Sequence, residues 1–299
     1  MYFNNTCSSQ SSAIPVIFSL MKHHHIIAFI IAFLFSGCLA HRQGMYLSPM
    51  DSQTIPYHTI PLKSDSLKSA FYGSMIYSTG TANDQGQDWV RAGQVSIYRS
   101  HNLGNVQAYY GANVTLGTYG LSDFYNSHYT PGEAGLIGGG DQPIDTFYHI
   151  RGRRYSFGSY GISGGINGVK TLRNLEWRYL GFETSIQKEF GDYYEFRKNL
   201  VDTAANIIFK NNLTGTIGIY TESLWRNRCG TQYGLKFSLN MLVNPKSDYT
   251  MQNTYGIFPI SYFSMTFHIT AKQFTGFMQG NFGTKAASFQ IGTSYRIGK

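Results

Sequence analysis

Past residue 37 the sequence has no apolar run long enough to cross a bilayer as a helix, a crossing that takes roughly 20 residues. The mature chain is therefore expected to hold no transmembrane helix. Charge is scarce as well: Asp, Glu, Lys and Arg make up 13% of the chain, and the net excess of +8 is spread without any Lys/Arg run. A basic stripe of the kind that holds nucleic acid is missing, so the expected partner list contains no nucleic acid; contact with anionic lipid head groups fits better. Only three cysteines occur, Cys7, Cys38 and Cys229. The first two sit in or at the end of a leader, so Cys229 is expected to remain as a free thiol with no intrachain disulfide. No CxxC pair is present, and no metal site or soluble cofactor is expected.

A leader is the clearest positive feature. From Met21, taken as the start, the chain reads Met-Lys-His-His-His and then an apolar run from Ile26 to Phe35. One lysine followed by about ten apolar residues has the build of a signal peptide. Leu34-Phe35-Ser36-Gly37-Cys38 follows directly and resembles the lipobox of bacterial lipoproteins. The resemblance implies cleavage before Cys38 and a covalent diacylglycerol or acyl lipid, such as palmitate, on its sulfur. Residues 1–37 are thus read as leader and lost, and with them the histidine tract.

Residues 38–66 lack periodicity and carry Pro49, Pro56 and Pro61 among polar residues. This stretch is read as a lipid-anchored flexible linker. Residues 67–299 show the opposite character, a sustained period of two. Tyr233, Leu235, Phe237, Leu239, Met241 and Val243 alternate with Gln232, Gly234, Lys236, Ser238 and Asn240. The same holds for Val106–Leu116, Phe263–Ala271 and Phe289–Ile297, and further strands are expected near 69–81, 87–100, 155–167, 172–190, 213–226 and 273–283. Ten or so residues of unbroken alternation suit a tilted membrane strand. Short polar turns between them imply antiparallel neighbours. The fold expected is all-β: an antiparallel up-and-down barrel of about ten strands, within a range of 8–12. A helix is expected over Val201–Phe209, and the phase change between Tyr179 and Leu180 is read as a β-bulge or as a strand passing from membrane to water.

Two barrels share such a pattern. A lipocalin-like barrel turns its apolar face inward around a small apolar ligand, whereas a membrane barrel turns it outward to lipid. The polar face here is rich in Gly, Ser, Thr and Asn with few charges, which fits a narrow lumen better than a wetted surface. Aromatic residues near strand ends, such as Trp89, Tyr98, Trp225 and Tyr262, fit the belts that mark bilayer interfaces. Glu222, Lys236, His268 and Arg296 fall on the polar face and are expected to form an interior cluster, with Glu222 and Lys236 as an ion pair.

Chemistry is sparse. His268 and Thr270 share a face, as do the histidine and serine of lipid-A-deacylating barrels, but no carboxylate is expected beside them. A non-enzyme is therefore preferred, with a lipid-A-modifying enzyme as the lesser alternative. Lipid-anchored and barrel features together, namely Cys38, the Tyr46-Leu47-Ser48-Pro49 to Pro61-Leu62 linker and the closing strand Gly292-Thr293-Ser294-Tyr295-Arg296-Ile297-Gly298, resemble an uncharacterised family of Bacteroidota outer-membrane β-barrel lipoproteins. That resemblance implies a Gram-negative outer-membrane location, outer-membrane lipid and another envelope protein as partners, and a structural, pore-like or partner-docking role. Because Leu39-Ala40-His41-Arg42 has no acidic residue, it also implies an anchor in the periplasm-facing leaflet.

Overall fold

A computed structural model describes residues 44–64, 67–82, 88–122, 152–172, 175–200, 206–243, 261–283 and 286–298. The leader and Cys38 lie outside these residues, as do the Gly138-Gly139-Gly140 run and the whole of the 245–259 connection.

Ten antiparallel strands close into a barrel. In chain order they are β2 (Ser69–Thr81), β3 (Trp89–Asn102), β4 (Val106–Gly120), β5 (Arg154–Leu172), β6 (Leu175–Phe190), β8 (Leu213–Arg226), β9 (Gln232–Val243), β10 (Ser261–Ala271), β11 (Phe274–Gly283) and β12 (Ala287–Gly298). Each pairs with the next, and β12 pairs with β2 from Ala287–Thr81 to Gly298–Phe71, which seals the cylinder and leaves no free edge. The expected all-β up-and-down barrel is therefore what the chain forms.

Strand alternation sets the two faces. Along β3, Ala92, Gln94, Ser96, Tyr98 and Ser100 are buried while Val95 and Ile97 stand outside, Ile97 with 61% of its surface exposed. Met75, Val114, Leu116, Ile162, Phe182, Ile186, Leu239, Met278 and Ile291 continue the outward apolar band around the cylinder. The inward face is Ser, Thr, Asn, Gln and a few charges. This is the reverse of a lipocalin-like barrel, so that alternative is corrected: no apolar cavity is enclosed by the described strands, because the apolar side chains point outward.

The phase change in β6 is a bulge. Arg178 pairs with Glu222 and Gly181 with Tyr220, leaving Tyr179 and Leu180 both outward between them. One extra residue lets Glu176 and Arg178 share the lumen with Glu183 and Ser185.

The two ends differ. The turns at 103–105, 173–174, 227–231 and 272–273 are short, while the connections at 121–153, 191–212 and 244–260, all at the opposite end, are long. A helix, α1 (Asp192–Asn199), and a three-residue strand, β7 (Asn206–Ile208), lie in the middle one. The helix thus precedes the 201–209 window expected from sequence. Its acids, Asp192 and Glu195, occupy the first turn and Arg197 and Lys198 the last, the order that a helix dipole favours. Ile208 and its neighbours instead extend to pair with β1 (Gly44–Tyr46) in parallel.

Two further expectations fail. Cys229, in the turn between β8 and β9, is disulfide-bonded and is not a free thiol. The stretch read as a flexible linker is no tether in its described part: every residue from Tyr46 to Leu62 is buried, and the segment runs through the barrel lumen.

Candidate functional site

The lumen and the segment that fills it form the site. Three prolines hold the segment extended, and a short 3-10 turn at Pro49–Ser52 is closed by a capping box between Ser48 and Asp51. An extended chain without a sheet partner leaves its backbone groups unpaired. Here the inward polar side chains of the strands supply the partners.

At the long-loop end, Tyr46 meets the ring of Phe196 edge-on at 6.2 Å, and Ser48 Oγ donates to Glu189 at 2.6 Å. Arg197 of α1 also reaches Glu189 and the carbonyl of Phe209. Burial alone would depress the Arg197 guanidinium, but the Glu189 carboxylate beside it holds it above its usual range. Burial pushes the Tyr193 phenol of the same helix well above its usual range. Deeper in, Thr54 Oγ1 donates to Asn281 at 2.7 Å and accepts from Gln279 at 2.8 Å.

The middle holds the charges. Glu222 Oε1 accepts from Tyr57 at 3.0 Å and meets His268 Nε2 at 2.8 Å, and its Oε2 takes Arg178 Nη1 at 2.6 Å. Tyr57 stacks on the His268 ring at 4.2 Å. Arg178 is fully buried and spends its other donors on Gln107 at 2.8 Å and on the Ile60 carbonyl at 2.9 Å. One guanidinium therefore joins the wall to the threaded segment. Lys236 takes Glu183 at 2.6 Å, under the face of Tyr220. His58 stacks on Tyr109 at 4.4 Å and lies 3.3 Å from Ser163.

At the short-turn end the segment leaves. Pro61 and Leu62 carbonyls accept from Gln107 and Asn102, and Lys63 donates through its backbone to Glu176 at 2.6 Å and through Nζ to Asn105 at 2.5 Å.

Of the four interior residues named from sequence, Glu222, Lys236 and His268 are buried in the lumen, and Glu222 and His268 are bonded. Glu222 and Lys236 face each other in register, yet Lys236 pairs with Glu183 and Glu222 with Arg178. The expected pair is corrected because the arginine, brought inward by the β6 bulge, outcompetes the lysine with a fork that also fits Gln107 and the Ile60 carbonyl. Arg296 stays apart, half-buried, lining the short-turn mouth with Thr59, Ile60 and Tyr72. Sequence reading missed Glu176 and Arg178, on the β6 alternation before the bulge, and Glu183, on the alternation after it. It missed Tyr57 and His58 because nothing in the local pattern marks a lumen-filling strand.

The carboxylate not expected beside His268 is present, since Glu222 reaches it from β8 past β9. Thr270, however, bonds Thr275 at 2.8 Å, and Tyr57 covers the His268 ring. Histidine and hydroxyl are each engaged elsewhere, so no nucleophile–base pair is assembled there.

No family model matches the chain, and no curated protein does. Among solved structures it is similar to the beta domain of the Bordetella autotransporter BrkA, at 10% identity and a TM-score of 0.39, covering 76% of this chain and 99% of that one. It is similar also to the translocator domain of the autotransporter NalP from Neisseria meningitidis (10% identity, TM-score 0.31, covering 78% and 90%). An outer membrane channel from Pseudomonas putida F1 shares 9% identity at a TM-score of 0.37, over 84% of this chain and all of that one.

Proposed function

We propose that the chain is an outer-membrane β-barrel of a Gram-negative envelope whose lumen is closed by its own segment 46–62. Its role is structural or partner-docking in this closed state, and conduction requires the segment to move. The observation that carries the reading is the pairing of two faces: an outward ring of exposed Val, Ile, Leu, Phe and Met around the strands, and an inward polar face to which residues 46–62 bond at Gln107, Arg178, Glu189, Glu222 and Asn281. Apolar side chains exposed on every side of a cylinder are stable only against lipid. A lumen packed with chain leaves no continuous water path.

Outer-membrane barrels keep short turns in the periplasm and longer loops outside. On that rule the barrel end that carries α1 faces the exterior and offers the surface for an envelope partner.

Membrane fractionation of a Cys38→Ala variant tests the reading. Retention in the membrane through alkaline extraction is expected, because the strands hold without the lipid. Release into the soluble fraction would sink the integral barrel. Reconstituted full-length protein should be electrically silent in a planar bilayer, and a steady open conductance would remove the closed lumen.

A further inference from the structure

We infer that Arg91 and Arg154, grouped around the Trp89 ring on the outer wall of the barrel, form a site for the phosphate of an anionic phospholipid head group. This rests on the membrane-embedded reading above and adds a lipid class to it.

The sheet register builds the site. Trp89 on β3, Gly120 on β4 and Arg154 on β5 are neighbours in one row across the strands. Gly120 gives the indole its room: a Cβ there would fall 2.1 Å from Trp89 Cε2. The ring therefore lies over β4, toward β5. Arg91, two residues on along the same face of β3, places its guanidinium carbon 5.0 Å from the ring centroid, and Arg154 places its own at 5.5 Å. The ring attracts each cation and neutralises neither, and two like charges held this close repel each other. Among the described residues no carboxylate pairs with either guanidinium. Asp88 is buried, bonded by the Tyr119 hydroxyl and the Ser122 N–H, and Asp192 accepts from Ser156. Arg99 at the other end of β3 differs. It too sits over a ring, that of Phe71 at 4.9 Å, but its Nε donates to Ser69 at 2.9 Å.

Position selects the anion. Arg91 and Arg154 are exposed on the outward face. Arg91 is flanked in register by Thr79 and Thr118. One row further along β3 the flanking residues are Tyr77 and Leu116, and one row beyond that Val95 lies between Met75 and Val114, all exposed. The two cations thus stand where the outward face turns from apolar to polar, the level at which lipid head groups and interfacial tryptophans lie. A guanidinium fork matches phosphate with two parallel bonds, and basic clusters at this boundary draw anionic head groups. A phosphodiester lipid satisfies both halves of the surface, its phosphate on the arginines and its acyl chains on Leu116 and Val114. A soluble anion would use only the first half.

Native mass spectrometry of the folded barrel in non-ionic detergent, titrated with phosphatidylglycerol, tests this. One retained lipid is expected from the wild type, and Arg91→Gln with Arg154→Gln should weaken its retention by roughly 10–30-fold. A charge-matched control, Lys170→Gln with Arg228→Gln on exposed positions of the short-turn end, should retain lipid as the wild type does. Undiminished retention by the Arg91 and Arg154 variant would overturn the inference. So would an equal loss in the control, which would make the attraction one of overall charge, and so would displacement of the lipid by an equal concentration of inorganic phosphate. Insertion into phosphatidylcholine vesicles is measured alongside, and all three proteins should insert. A wild type that inserts but retains no phosphatidylglycerol overturns this inference alone, whereas a wild type that fails to insert counts against the membrane reading itself.

Discussion

Glu222 and His268 are 2.8 Å apart although β8 and β10 are separated by β9, and the gap between them is the side chain that Gly234 lacks. A Cβ at residue 234 would fall 1.8 Å from His268 Nε2. Glycine is needed there so that the imidazole can lie flat across the strand and reach the carboxylate.

Gly234→Ala should therefore swing His268 away and strip one hydrogen bond from Glu222. Loss of a buried bond to a charged group costs about 1.5–3 kcal/mol. Urea unfolding followed by tryptophan fluorescence measures it. In a His268→Ala background the same glycine substitution should cost little, because the group it displaces is gone. An undiminished cost there would show that Gly234 acts through the backbone alone.

Arg178 and Glu222 give the sharper electrostatic test. Both are buried, so removing one charge strands the other. Glu222→Gln is expected to destabilise by about 3–5 kcal/mol, whereas the double variant Arg178→Met with Glu222→Leu should recover much of that loss. Equilibrium unfolding of the three proteins decides it. Were the double variant as weak as the single one, the guanidinium would be serving chiefly as the clamp on the Ile60 carbonyl, with its charge partner secondary.

What was legible in the sequence follows from these residues. Period two in β4, β9, β10 and β12 announced the strands, because each long strand has one outward apolar face and one lumen face. The β6 bulge was legible as a phase slip at Tyr179-Leu180. The thread was not. Its prolines and polar residues are what a solvated linker also has, and the partners that bury it (Asn102, Gln107, Glu222, Asn281) come from four different strands. Lys236 beside Glu222 was legible as a neighbour pair, yet a narrow lumen lets side chains cross strands. Adjacency there does not fix the partner.

Val114 lies midway along β4 with half its surface exposed, opposite the similarly exposed Val95 of β3. Val114→Arg would sit harmlessly on a water-soluble barrel. In lipid, arginine near mid-depth costs about 2–4 kcal/mol. The folded fraction recovered in lipid vesicles should fall accordingly, while Asn113→Ser on the inward side should leave it nearly unchanged. Equal insertion of Val114→Arg and wild-type protein would argue against a lipid-facing band.

The seat of the thread can be loosened and locked. Tyr57 stacks on His268 and donates to Glu222, and His58 stacks on Tyr109. Replacing both by alanine removes two ring stacks, and a buried aromatic cut to alanine typically costs about 3–5 kcal/mol. Intermittent unitary openings are expected from this variant in a planar bilayer, against silence from the wild type. Thr59 and Ser294 offer the lock, since their hydroxyl oxygens lie 2.7 Å apart across thread and wall. A Thr59→Cys, Ser294→Cys pair in a Cys229→Ser background brings two sulfurs within disulfide reach. Added to the alanine variant, the oxidised pair should suppress the openings and reductant should restore them. Openings that ignore the redox state would place the current outside the path held by residues 57–59, and the N-terminal segment would no longer account for closure.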